Sequence, residues 1–432
     1  MKIFVALGIV AGLGAALLLG GVLRESRSDT PAPLSSGQAA SLRSEFLAAD
    51  TVSLVRTLEQ STRERPQDAR AAALLGLGYA QRARESGDAR FYTRAETALR
   101  QAIRIEPRNY EATLGLGSVA LSRHRFVEAL GYGRRALAIA PTSAAPLGII
   151  GDAQLELGRY PAAFATFDRL AQIKPNVSAY ARVAYSREIL GDTSGAIEAM
   201  TLAADSAGSG AGEQPAWSRA QLGNLYLPRR PRQAARVYTE ALTLRPGYAP
   251  ALLGMGHTEE ARGRLRSALA LYRRSLLAVP SPDAAVAIGD VLRRLGRPAE
   301  AERAYARAHE LEREFEANGG HNDLETAMLD LDLDRNLQNA LVRARRGHAE
   351  RPSIEGEHVL AWALYKNGRC AEARVHSVKH LRLGTPDADG IYHRVLIERC
   401  LGNEAAAASF LARLRTVEPG YLSAPPSAFR LS

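Results

Sequence analysis

Five prolines constrain this chain more than any other feature. Pro107, Pro141 and Pro175 follow one another at 34-residue steps, and Pro246 and Pro280 repeat that step further on. Twelve residues before each stands an alanine: Ala95, Ala129, Ala163, Ala234 and Ala268. Glycines fall at matching places ahead of them. Gly158, Gly191, Gly263, Gly296, Gly368 and Gly402 occupy a turn position, and Gly117, Gly151, Gly256 and Gly289 lie further upstream. Self-similarity at one short period means stacked copies of one supersecondary unit. Proline closes each unit because it cannot continue a helix. Small residues inside the unit let two helices approach closely, and aromatics such as Phe126, Tyr160, Phe167, Tyr272 and Tyr305 fill the space beside them.

Composition agrees with a helical array. The 432 residues would make about three globular domains at ~150 residues each, but they are 46% hydrophobic, only 6% aromatic and dominated by helix formers. Collagen, a disordered polyelectrolyte and a polytopic membrane protein are excluded. The net charge of +10 carries little weight as a nucleic-acid signal. Of 56 basic residues only Lys2, Lys174, Lys366 and Lys379 are lysines, and the arginines are interleaved with 46 acids in no run longer than a pair. A nucleic-acid binder concentrates its charge on one face or arm, so none is expected here.

The N-terminus reads separately. Residues 3–23 are uncharged; at 1.5 Å per helical residue they would span ~31 Å, enough for a hydrocarbon core of ~30 Å. Signal-peptide cores are shorter, at ~7–15 residues, and end at a small-x-small site. None is evident here, and no cysteine follows to carry a lipid. An uncleaved signal anchor over residues 1–24 is expected, with cleavage and secretion as the alternative. The positive-inside comparison gives no vote on orientation, because Lys2 opposes Arg24 and Arg27. The two-residue head is the usual secretory arrangement and puts the remainder outside the cytoplasm. Residues 25–41, with Pro31, Pro33 and Gly37, read as a flexible stalk.

The repeat marks resemble those of the tetratricopeptide repeat, a helix–turn–helix unit of ~34 residues. Leu147, Ile150-Gly151, Gly158-Arg159-Tyr160, Ala163, Phe167 and Pro175 fit its motif nearly position by position. The clearest units are Tyr110–Ser143, Ala144–Val177, Ala249–Pro282 and Ala388–Tyr421. Phrases such as Leu360-Ala361-Trp362-Ala363-Leu364-Tyr365-Lys366-Asn367-Gly368-Arg369 resemble terminal repeats of bacterial proteins of this family. The resemblance implies an all-α, right-handed solenoid of about ten hairpins over residues 42–421. A lone helix, Ser41–Arg65, would cap the stack, and a tail, 422–432, would follow it. Weaker joins are expected near 208–215 and 317–323, where glycines interrupt the pattern.

In this family the first helix of each unit lines a concave groove, and ligand contacts fall at repeat positions two, five, nine, twelve and thirteen. Transferred residue by residue, the resemblance selects Asp152, Tyr185, Asn224, His257, Glu260, Asp290, Arg293, Trp362, Tyr365 and Lys366 as groove candidates. The same residues could equally form a solvated face. Trp362 could be a binding anchor, or it could pack on the next unit, since tryptophan is highly buried on average. Cys370 and Cys400 lie one unit apart; stacking could join them in a disulfide or bury them as two thiols. His376 and His380 are the one pair at metal-compatible spacing, with only Glu372 as a neighbouring carboxylate and both at ordinary helical surface positions. No metal site, catalytic group, cofactor or phosphate loop is expected. The resulting expectation is a membrane-tethered scaffold, not an enzyme, binding proteins or peptides in its groove, in envelope assembly or a membrane complex. The alternatives are a peptidoglycan- or carbohydrate-associated envelope factor or enzyme regulator and, behind these, a nucleic-acid-binding array. Nothing in the sequence fixes the oligomeric state.

Overall fold

The computed structural model describes residues 51–210 and 212–423. The expected anchor, the stalk and the tail beyond Ser423 lie outside those residues. Among the described residues there are 21 α-helices, two short 3-10 turns and no strand, and no helix is long and apolar enough to cross a membrane.

Helix α1 (Thr51–Glu64) stands alone, and ten hairpins follow. Units 1 to 3 are α2/α3 (Ala69–Ser86, Arg90–Ile105), α4/α5 (Tyr110–Ser122, Phe126–Ile139) and α6/α7 (Ala145–Glu156, Tyr160–Ile173). Units 4 to 6 are α8/α9 (Val177–Ile189, Thr193–Ala207), α10/α11 (Glu213–Tyr226, Pro231–Leu244) and α12/α13 (Ala249–Ala261, Leu265–Ala278). Units 7 and 8 are α14/α15 (Pro282–Arg294, Pro298–Ala317) and α16/α17 (Asp323–Asp332, Leu337–Glu350). Units 9 and 10 are α18/α19 (Ile354–Lys366, Cys370–His380) and α20/α21 (Ala388–Cys400, Glu404–Val417).

The sequence marks map onto this plan directly. First helices begin at side-chain caps: Asp68, Asn109, Asn176, Ser281, Ser353 and Asp387 each accept a backbone N–H of the first turn. Such caps satisfy donors that the helix itself leaves orphaned. The turn inside nine of the ten hairpins uses one left-handed residue. Glycine supplies it in seven units, His124 (φ 58°) and Asp334 (φ 53°) take the equivalent place in units 2 and 8, and unit 5 turns without one. The five marker alanines are wholly buried where the helices cross.

Beneath the first helices, Gly151, Gly223, Gly256 and Gly289 face Phe167, Tyr238, Tyr272 and Tyr305 so closely that a Cβ would stand 2.2–2.4 Å from a ring carbon. Each ring sits in space that a side chain on the glycine would fill. Burying one such ring contributes about 1.5–3 kcal/mol.

A second order of packing is invisible in the 34-residue period. The turns inside units 1 to 5 dock on the junctions that follow units 6 to 10. Gly87 lies against Pro280, where a Cβ would meet the carbonyl oxygen at 2.7 Å. His321 N–H donates to the Arg123 carbonyl at 2.9 Å. Arg351 Nε donates to Glu156 Oε2 at 2.6 Å, and Ile354 N–H to the Tyr160 hydroxyl, also at 2.6 Å. Thr385 Oγ1 donates to the Ile189 carbonyl at 2.7 Å, and Arg229 Nε to the Val417 carbonyl at 3.3 Å.

The central contacts of this series join residues 194–198 apart. The solenoid therefore completes one superhelical turn in between five and six units, and its successive turns touch along a seam. Both joins expected to be weak take part in long-range contacts. Glu213 accepts from Gln81 and Arg84 of unit 1, each at 2.9 Å. The end of α15 brings the Phe315 ring to 5.5 Å from His124.

Candidate binding wall and histidine clusters

The inner wall is built by the glycine–aromatic pairs. A buried tyrosine ring carries its hydroxyl to the far side of the first helix, where it requires a partner. Tyr238 donates to Asn224 at 2.7 Å and Tyr305 to Asp290 at 2.8 Å. The Tyr272 hydroxyl donates to Glu260 at 2.6 Å and lies 2.7 Å from His257 Nδ1. In units 5 and 7 the position-nine side chain thus accepts from the tyrosine beneath it, and in unit 6 the acceptor is Glu260, with His257 alongside.

Unit 3 has Phe167 at the same place, with no hydroxyl to offer. Its position-nine residue, Asp152, turns instead to Arg182 of the next unit, with two bonds of 2.7 and 2.6 Å. Burial raises the Asp152 pKa and the bidentate guanidinium opposes the rise.

These contacts redistribute the expected groove residues. Asp152 is 0% exposed and unavailable to any ligand. Tyr185 is half-buried. Asn224, His257, Glu260, Asp290 and Arg293 form a half-exposed row over units 5 to 7. Arg294 ties Glu260 across the unit boundary at 2.6 Å, and Arg293 lies 3.8 Å from Asp290 and over the Tyr305 ring.

At the other end, Trp362 is 1% exposed. It donates Nε1–H to Asp332 at 3.2 Å and stacks on His393 of the next unit at 3.6 Å. The aromatic-cationic patch does exist, with Tyr365 stacked at 5.1 Å and Lys366 Nζ 4.8 Å above the Trp362 ring. Its anchor is spent on the neighbouring hairpin, and Lys366 is held by Asp334. Cys370 and Cys400 are joined in a disulfide, with their Cα atoms 6.3 Å apart.

The reading of the histidines needs correction. His380 is buried rather than on the surface, as is His393 in the next unit, and His376 and His380 do not act as a pair. One turn apart on α19, they face different neighbours. His376 Nδ1 lies 2.6 Å from Glu357, a carboxylate also 3.2 Å from His348. His348 and His376 hold Glu357 down at a pKa of about 2, against the burial that would raise it. His380 Nε2 lies 2.9 Å from Asp387. Glu372, the carboxylate nearest in sequence, is bound to Arg369 instead.

Sequence reasoning also missed Arg351, which bridges the buried carboxylates Glu156 and Glu325 at 2.6 and 2.9 Å. No local signal marks it, because Glu156 is 195 residues away.

Two tetratricopeptide-repeat family models match the chain, one over residues 80–144 and the other over residues 120–184 and 225–288. No curated protein sequence matches it. Among solved structures, it is similar to the Cut9–Hcn1 hetero-tetramer of the APC/C, with a TM-score of 0.40 and 13% identity over 92% of this chain and 96% of that one. The human IFIT1 dimer with m7Gppp-AAAA gives 0.46 and 12% over 94% of each. The MamA protein gives 0.30 and 17% over 40% of this chain and 92% of that one. All three likenesses are distant. The matched stretches are tetratricopeptide repeats, and the ten hairpins at that period form a tetratricopeptide-type solenoid.

Proposed function

We propose that the protein is a non-catalytic scaffold that holds partner proteins or peptides. Residues 3–23 tether it to the cytoplasmic membrane, and its solenoid lies outside the cytoplasm in an envelope or membrane complex. Tetratricopeptide repeats generally mediate protein–protein interaction. The observation that carries the reading here is the half-exposed row Asn224, His257, Glu260, Asp290 and Arg293, which presents donors and acceptors at one-unit spacing along units 5 to 7. Such a row suits an extended or helical peptide, whose polar groups recur at regular intervals.

The test is cross-linking and affinity capture of the full-length protein from intact membranes, beside a folded His257→Ala/Asp290→Ala/Arg293→Glu variant. The reading expects a defined partner set that the variant loses. Equal recovery by both proteins would overturn the groove assignment. Protease accessibility in intact cells and in spheroplasts reports the side of the bilayer, and digestion only after lysis of the inner membrane would overturn the external placement.

A further inference from the structure

Five of the nine histidines fall between His348 and His393, and three of them surround the start of α20. We propose that His358 Nδ1, His380 Nε2 and Asp387 Oδ2 form a binding site for a divalent transition-metal ion of the zinc type.

The donor set is assembled. The three atoms lie within 4.8 Å of one another, with Asp387 Oδ2 2.9 Å from His380 Nε2 and 3.7 Å from His358 Nδ1. Ligands bound to one tetrahedral zinc at ~2.0–2.2 Å stand roughly 3.3–3.6 Å apart; the His358 and His380 rings are stacked with centroids 4.5 Å and planes 18° apart, so one ring must also turn for both in-plane lone pairs to meet a single ion.

The outer nitrogens are already committed. His380 Nδ1 is 2.8 Å from the Ile354 carbonyl. That oxygen only accepts, so Nδ1 carries the proton and Nε2 is the atom presented to Asp387. His358 Nε2 faces His393 Nδ1 at 2.9 Å. Contacts of this kind fix the tautomer and ring orientation of metal-ligating histidines. His358 Nδ1 itself has no hydrogen-bond partner although the residue is only 2% exposed. A buried polar atom left in that condition calls for an explanation, and a metal supplies one.

The charge pattern agrees. Buried Asp152 and Glu156 each meet an arginine, whereas the ion-pair partners of Asp387 are imidazoles. Gly390 permits the close approach, since a Cβ there would stand 2.1 Å from His380 Nε2 and 2.5 Å from Asp387 Oδ2. On binding, the ion displaces the proton shared by His380 and Asp387. The neighbouring trio His348, Glu357 and His376 is more open, and Lys379 Nζ lies 3.9 Å from Glu357. An ammonium already answers that carboxylate, which makes the trio an internal control. Because Thr385 docks on Ile189 across the seam, a metal bridging His380 and Asp387 also staples the link that carries this contact.

The test uses the full-length protein, stripped with chelator and titrated with zinc chloride and with cobalt(II). The expected result is one ion per chain, a tetrahedral cobalt spectrum and a raised melting temperature. His358→Gln and Asp387→Asn, the latter keeping a side-chain cap, should each weaken binding by about 100-fold or more, while His376→Gln leaves it unchanged. Wild-type binding by folded His358→Gln and Asp387→Asn, loss of binding in His376→Gln, or no cobalt binding by the wild type would each overturn the proposal. Histidine-ring nitrogen NMR of the wild type gives a readout that needs no variant. Zinc should shift His358 and His380, and shifts confined to His348 and His376 would equally overturn it.

Discussion

Units 3 and 6 carry the same repeat marks and use them differently. In unit 6 the glycine covers a tyrosine, and His257 and Glu260 answer its hydroxyl on a half-exposed wall. In unit 3 the glycine covers Phe167, and Asp152 and Glu156 are buried against Arg182 and Arg351. The difference has two sources. One is local, the presence or absence of one hydroxyl. The other is distant: α17 ends and α18 begins against the turn of unit 3, one superhelical turn further on. A repeat position therefore has no fixed role. Its role depends on the ring beneath it and on what the coil brings back beside it.

The largest expected effect follows from that second source. Arg351→Ala leaves Glu156 and Glu325 buried without their shared counter-charge and should cost about 3–5 kcal/mol in urea denaturation. Arg294→Ala removes the half-exposed partner of Glu260 and should cost about 1 kcal/mol or less. Equal losses would mean that the seam does not distinguish the two regions.

Packing comes next. Gly256→Leu drives a side chain into Tyr272 and should cost about 1–3 kcal/mol. Gly131→Ala, on the open side of α5 with nothing within 4 Å, should be neutral or stabilise by up to about 1 kcal/mol, as helix propensity favours alanine. Thermal melts of the two variants that coincided would show that the glycine–aromatic register is wrong.

Protonation should separate the regions as well. Burial pushes Glu355, beside the seam in unit 9, up to about 8, and its Oε1 has no hydrogen-bond partner. Folded chains then hold a proton that unfolded chains release above pH ~4.5. The stability it contributes is complete below that pH and is lost as pH rises through about 8. Denaturation midpoints should fall between pH ~6.5 and ~8.5, a window above the ordinary histidine range, and Glu355→Gln should flatten the slope. A slope unchanged by that substitution would remove Glu355 as its source. A modest effect, about 1–2 kcal/mol, is expected for Tyr272→Phe, which deletes the hydroxyl contacts to Glu260 and His257 and keeps the ring. A loss several times larger would mean that the hydroxyl organises the wall rather than merely satisfying it.

Proline, alanine and glycine spacing made the ten hairpins legible, because each mark acts within one unit or between adjacent units. The position-nine contacts were partly legible too. Tyrosine or phenylalanine at a fixed offset decides whether Asn224, His257 and Asp290 receive a hydroxyl or, as with Asp152, none. The seam was not legible. It arises from small rotations accumulated over several units, and no 34-residue comparison pairs Glu156 with Arg351. The histidines misled for a related reason. Helical spacing placed His376 beside His380, but their carboxylates, Glu357 and Asp387, arrive from other helices. Trp362 followed the average behaviour of its residue type over its repeat position.

The touching turns also restrict how such a chain can change length. An open solenoid can gain or lose a unit anywhere and alter only its two new neighbours. Here, one extra hairpin between units 5 and 6 would present every early turn with the wrong late junction, so Gly158 would no longer meet Pro352 or Gly191 meet Gly384. The count of units is therefore fixed as threads fix a nut: growth is tolerated at the free ends, and the interior admits no insertion without stripping the whole engagement.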